Sequence, residues 1–96
     1  MPEMIKSFAC PATEAIFHDQ QAPELPSTIQ NTARRKLVQI NLAQKLADLR
    51  IPPGNRLEPL KGNRAGQHSI RINDQWRICF RWTVSGLEEV EIVDYH

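Results

Sequence analysis

The sequence has no apolar run approaching the roughly 18–20 residues that a membrane-spanning helix needs, so a helical membrane protein is excluded. Its start, Met1-Pro2-Glu3-Met4-Ile5-Lys6, lacks the apolar stretch of a secretory signal, which predicts a cytoplasmic protein. Cysteine is scarce, with Cys10 and Cys79 the two in the chain. A reducing compartment keeps both as thiols, and Cys79, inside a strand pattern, is expected to be buried and inert. Together with three dispersed histidines they form no metal-ligand spacing such as two close pairs, so neither metal nor cofactor is expected. The G-x-x-x-x-G-K-[ST] spacing of a phosphate-cradling loop is also missing, which leaves nucleotide hydrolysis without support. No internal repeat and no low-complexity tract interrupts the chain.

Net charge is nearly absent as well: twelve Lys and Arg against eleven Asp and Glu give +1. The total hides segregation. Residues 1–49 carry five bases and five acids, residues 50–82 seven bases and two acids, and residues 83–96 four acids and no base. A basic middle followed by an acidic tail points to an anionic ligand near the middle segment. At 96 residues, 41% apolar and 24% charged, the chain reads as one globular domain over residues 1–96.

Met4-Ile5-Lys6-Ser7-Phe8 predicts a short first strand, and residues 12–19 a brief helix with Ala12, Ala15 and Ile16 on one side. Ser27 with Gln30 fits a capping box. Ile29, Ala33, Leu37, Ile40, Ala43 and Leu46 or Ala47 then recur at helical spacing, predicting a helix through about residue 48. Arg34, Arg35 and Lys36 read first as a solvated helix face and second as a partner or ribosome contact. Pro52-Pro53-Gly54 prevents any continuation of the helix.

The clearest pattern is Gln75 to Trp82. Trp76, Ile78, Phe80 and Trp82 alternate with Gln75, Arg77, Cys79 and Arg81, a strand that buries one face and displays two arginines on the other. His68 to Ile72 forms its partner through an Asn73-Asp74 turn, and Ser85-Gly86 leads into a final strand from Glu89 to Asp94. The order β-α-α-β-β-β, with room for a further short strand at Leu57 to Leu60, predicts an α+β fold. Two helices pack on one face of a small, mostly antiparallel sheet, leaving the basic opposite face largely uncovered.

Arg77 and Arg81, near a loop bearing Arg56, Lys61 and Arg64, suit a phosphate-binding surface because the guanidinium fork matches phosphate oxygens. The competing reading pairs these arginines with Glu88, Glu89 and Glu91 on the neighbouring strand. A second cluster closes the chain, where Asp94-Tyr95-His96 supplies a carboxylate, a phenol and an imidazole. Scission of RNA by transesterification needs a base for the 2′-OH proton, an acid for the departing 5′ oxygen, and cations for the phosphate charge. Asp94 and His96 suit the proton transfers, Tyr95 could stack on a base or donate a proton, and Arg77 and Lys61 carry positive charge. A frayed, solvated terminus is the simpler reading of His96. Strand alternation allows Tyr95 to share the face of Arg77, with Asp94 reaching from the strand end. His18 reads as a surface or capping residue and His68 as a partly buried structural one.

Pro53-Gly54-Asn55-Arg56-Leu57-Glu58-Pro59-Leu60-Lys61-Gly62-Asn63-Arg64, the segment Ser69 to Trp82 and the closing Asp94-Tyr95-His96 together resemble the HigB-type toxins of the RelE/ParE superfamily. Met4 to Phe8 resembles the usual start of that family, so residues 1–3 are read as an extension before Met4. The resemblance spans nearly the whole chain. It implies a RelE-like fold and a bacterial type II toxin that enters the A site of the 70S ribosome and cleaves translated mRNA without a metal. It also implies neutralisation by a HigA-like helix-turn-helix antitoxin, with operator DNA reached only through that antitoxin. Position by position, Lys61, Arg77, Asp94, Tyr95 and His96 match the family's active-site pattern, and Arg56, Arg64, Asn73 and Arg81 are expected to bind substrate.

One departure stands out. Many members carry histidine in a Leu-His-Pro-Leu-Lys-Gly loop where this chain has Glu58. A carboxylate can act as a base but not as a cation, so Glu58 is a candidate acid–base group and a comparatively mild toxin is expected. A ParE-like toxin that inhibits gyrase and a non-catalytic RNA-binding module are the alternatives. The terminal triplet favours the nuclease.

Overall fold

The computed structural model describes residues 4–94. Helix α1 spans Pro11–Phe17 and α2 Ser27–Leu42; strands β1 (Glu58–Pro59), β2 (His68–Arg71), β3 (Trp76–Thr83) and β4 (Gly86–Asp94) follow. The strands form one sheet in the order β1-β2-β3-β4 with every neighbouring pair antiparallel. The fold is α+β, as the element order predicts.

Proline sits at the first turn of α1, where its missing N–H costs nothing. Thr13, fully buried on this helix, accepts the Ile92 N–H at 2.9 Å and so ties α1 to β4. In α2, Ile29, Ala33, Leu37 and Ile40 form the stripe that joins Ile70, Ile78, Phe80, Leu87, Val90 and Ile92 in one core. The expected Ser27/Gln30 capping box does not form. Pro26 is the N-cap, and the Gln30 amide donates instead to the carbonyls of Ala22 and Leu25, each at 3.0 Å, closing the connection before the helix.

The helix also ends earlier than expected, at Leu42 rather than about residue 48. Ala43 is extended, and Leu46–Arg50 forms a separate 3₁₀ turn that buries Leu49. Asp48 drives the change of direction: its carboxylate accepts the N–H groups of Gln44 and Lys45 at 3.1 and 3.2 Å. The apolar repeat therefore continues through a break in the backbone.

The first segment does pair with the sheet, as two isolated parallel bridges, Ile5 to Leu87 and Phe8 to Val90, along the free edge of β4. Lys6 N–H donates to Leu87 O and Leu87 N–H to Met4 O, both at 2.7 Å. Gly86 permits this approach. At φ +139 a β-carbon there would lie 2.3 Å from Met4 O.

The alternation of β3 holds for Ile78 and Phe80, both fully buried, while Trp76 and Trp82 are half-buried at the strand ends. The opposite face is not left largely uncovered, contrary to expectation: Arg77 is 8% exposed and Ser69 and Cys79 are fully buried. The chain between Pro53 and Gln67 folds over this face, because Arg77 draws a backbone carbonyl and a carboxylate from it. Fully buried Asn55 fixes that chain to α2. Its amide donates to Leu49 O at 3.2 Å and Gln39 Oε1 at 3.3 Å, and its oxygen accepts from the Lys36 ammonium. Asn55→Leu keeps the volume and removes these bonds, and should cost about 2–4 kcal/mol in urea unfolding. Gln44→Ala, at an exposed side chain, should stay within about 0.5 kcal/mol by the same measurement.

Candidate functional site on the outer face of the sheet

Cross-strand register builds the site in rows. Glu58, Ser69, Cys79 and Glu91 stand opposite one another across all four strands, and Arg71, Arg77 and Val93 form the next row. Arg77 lies at the floor. Its Nε donates to Ser69 Oγ at 2.8 Å, its Nη2 donates to Arg56 O at 2.7 Å, and Glu58 Oε1 lies 3.5 Å from Nη2. Arg56 is exposed and left-handed at φ 46, ψ 54, a conformation that is strained for a residue with a side chain. Its own N–H to Pro53 O at 3.1 Å and the Arg77 bond to its carbonyl hold it there.

Lys61 is exposed at the N-cap of the 3₁₀ turn Gly62–Arg64, two residues beyond β1. Arg64 pairs with Glu91 and Arg81 with Glu89, each at 3.1 Å. The cross-strand ion-pair reading thus describes Arg81, while Glu88 goes to the Thr83 hydroxyl and Arg77 to Glu58 on β1. Asn73 sits at the hairpin tip, where its oxygen accepts the N–H groups of Gln75 and Trp76 at 2.8 Å. Asp94 is exposed, lies across from Trp76, and accepts from Gln75 Nε2 at 3.1 Å. Tyr95 and His96 lie outside the described residues, as do residues 1–3, the expected extension.

The structure therefore brings Arg77, Glu58 and Arg56 into contact and ties Arg64 and Arg81 to the acidic strand. Sequence reasoning gave no role to Ser69, Asn55 or Gln67. Ser69, alternating with Ile70, faces outward in the pattern, yet only the register with Glu58 and Cys79 reveals what it meets. Of the Arg34-Arg35-Lys36 run, Arg34 bonds Ile16 O at 3.0 Å and Asp19 at 3.2 Å, and Lys36 bonds Asn55. Burial, and then the nearby Arg35, hold the Lys36 ammonium below the usual lysine range. Two of the three bases are thus parts of the scaffold. Among the described residues, no three His, Cys, Asp or Glu group closely enough to hold a metal ion.

The four-stranded sheet with its helix pair matches the solved YoeB–YefM complex from Staphylococcus aureus. The TM-score is 0.59 at 20% identity, over 96% of this chain and 97% of that one. That likeness shows a shared fold. Residues 6–96 match the family described as RelE-like toxin of type II toxin-antitoxin system HigB, and the chain belongs to this HigB-like family. It is 45% identical over 84 residues to Toxin HigB-1 of Vibrio cholerae serotype O1, covering 86% of this chain and 87% of that protein. To Endoribonuclease HigB of Proteus vulgaris it is 29% identical over 93 residues, covering 97% of this chain and all of that protein.

The two thiols differ. Both are free, with Cys10 half-buried beside Thr13 and Cys79 fully buried beneath the site, where burial pushes its thiol up. A thiol reagent should therefore label Cys10 in the native protein and Cys79 only on unfolding. Above the ordinary thiol range the unfolded chain loses the Cys79 proton while the folded chain keeps it, so stability falls as pH rises there. That fall, read by urea unfolding across the alkaline range, should be absent from Cys79→Ala.

Proposed function

We propose that this toxin is a ribosome-dependent endoribonuclease that cleaves translated mRNA by acid–base transesterification without a metal. The observation that supports it is the fixed guanidinium of Arg77, held by Ser69, Arg56 O and Glu58, with Arg56 and Lys61 exposed on the segment that crosses it. A scissile phosphate over this face gains the Arg77 fork as its oxygens become more negative, with Lys61 as a second cation and Arg56 contacting a flanking phosphate. Asp94 ends the strand that pairs with Arg77, and together with Tyr95 and His96, which follow it in the sequence, it supplies the base, the acid and a stacking surface for a nucleobase. Asn73, at the tip of the same hairpin, contacts the substrate with the amide edge that the turn leaves over. The name of the Proteus vulgaris relative, an endoribonuclease, agrees with this reading.

Glu58 gives the site its particular character. Where many relatives have histidine, this carboxylate sits 3.5 Å from Arg77, so it is a candidate base and also a competitor with phosphate for the guanidinium. A mild toxin follows from that competition. The HigB family description places a partner antitoxin with the toxin, and we assign it to the HigA-like helix-turn-helix class, through which alone the pair reaches operator DNA. The A site of the 70S ribosome is where the message is presented. Site and partners are those of the cytoplasm, and no helix among the described residues is long and apolar enough to cross a membrane.

Primer extension on mRNA from cells expressing the wild type should show discrete, translation-dependent cuts that vanish in Arg77→Ala and in a chain lacking His96. Thermal unfolding of the truncated chain separates lost chemistry from lost folding. Growth arrest with intact message and accumulating DNA breaks would overturn the proposal in favour of gyrase inhibition. On a purified message without ribosomes the wild type should cut at least about 100-fold more slowly, since orientation supplies much of the barrier reduction. Glu58→His should raise cleavage on ribosomes by about tenfold or more, within the usual range for a placed acid–base group. An unchanged rate would remove Glu58 from the mechanism.

A further inference from the structure

Among the described residues, none of 61–66, the loop that carries Lys61, belongs to the apolar core or to the hydrophobic side chains packed against it. The loop backbone closes on itself, with Leu60 N–H donating to Gln67 O at 2.8 Å and Gln67 N–H to Arg64 O at 2.9 Å. What attaches it to the sheet is a chain of polar side chains. Arg64 donates through Nη2 to Glu91 and through Nη1 to Gln67 Oε1, both at 3.1 Å. Gln67, 8% exposed, donates to Glu89 Oε2 at 3.3 Å, and the same oxygen accepts from Arg81 Nε at 3.1 Å. Arg81 in turn lies against the loop backbone. At Gly66, φ +91, a β-carbon would stand 2.6 Å from its Nη1.

We propose that Arg64, Gln67, Glu89, Glu91 and Arg81 form a latch that fixes the Lys61 loop on the sheet, with Arg64 and Glu91 as positioning residues rather than substrate contacts. Lys61 is the N-cap of the short turn whose last residue is Arg64, and Arg64 N–H donates to Lys61 O at 3.2 Å. Tethering Arg64 therefore sets where the lysine ammonium stands. A single exposed ion pair would contribute little. Here five groups share bonds in series, one of them is buried, and among the described residues none of 61–66 belongs to the apolar core, so the latch decides whether the loop is ordered. The acidic run of β4 thereby has a use apart from proton transfer: Glu89 and Glu91, two residues apart on one face, are its fixed end.

The latch stands on these contacts alone, whereas its effect on cleavage rests on the nuclease reading. Hydrogen exchange on the free full-length chain tests the first. Glu91→Gln should speed exchange of the Leu60 amide by about tenfold, a typical local-opening response, while the Phe80 amide keeps its protection. Gly66→Ala should do the same by displacing Arg81, and the charge swap Arg64→Glu with Glu91→Arg should recover at least half the lost protection. Ribosome-dependent cleavage tests the second. Glu91→Gln should lower kcat by about tenfold with KM for ribosomes little changed, and the swap should restore it. Unchanged Leu60 exchange in Glu91→Gln would overturn the latch, and faster exchange with unchanged kcat would overturn the positioning role. Arg64→Gln raising KM without loosening Leu60 would return Arg64 to the substrate contacts. If the wild type itself fails to cleave, the nuclease reading falls and the exchange rates still decide the latch.

Discussion

The buried guanidinium of Arg77 organises the outer half of this protein. Taking a charge out of water costs several kcal/mol unless hydrogen bonds and an opposite charge replace the lost solvent. Here Ser69 on β2 and, from the segment after Pro53, the Arg56 carbonyl and Glu58 replace it. The demand pulls the segment after Pro53 across the sheet and holds Arg56 in its left-handed turn. Asn55, one residue earlier, carries the connection to α2 and to the 3₁₀ turn around Leu49. Helix layer and site are thus joined through two consecutive residues, one buried and one exposed.

Charge segregation along the sequence becomes charge pairing in space. The basic block and the acidic tail meet across β3, β4 and the Lys61 loop, where Arg64 and Arg81 are matched by Glu91 and Glu89. Arg56 and Lys61 remain exposed, while Arg77 is buried. Such a surface has few cations to release counterions from bulk nucleic acid, so loose binding is weak and recognition must be local. That division suits the proposed reading, in which the ribosome presents the substrate.

Much of the fold was legible because its causes are periodic. Ile29, Ala33, Leu37 and Ile40 announce a helix face, and Ile78 and Phe80 a strand face, since burial on one side imposes a repeat that needs no knowledge of the partner. The errors fall where a single side chain outweighs the repeat. Asp48 caps a new turn and ends α2 early, although apolar residues continue in step. Gln30 finds two carbonyl acceptors in the preceding connection and abandons the expected capping box. In the site, the arginines and the basic loop were visible from composition, but which arginine meets which glutamate was not.

The sequence by itself determined the α+β order of elements, the apolar faces, the buried Cys79 and membership of the HigB-like family, because these follow from local pattern and from motif. Only the tertiary structure decided that Arg77 is a floor rather than a surface residue, that Arg64 and Arg81 face acidic partners, and that a run of polar side chains ties the Lys61 loop to the sheet. The physical reason is the range of the interactions. Hydrophobic periodicity is written within a dozen residues, whereas partners of Arg64 and Arg77 lie 27 and 21 residues away and meet them only once strand register is set.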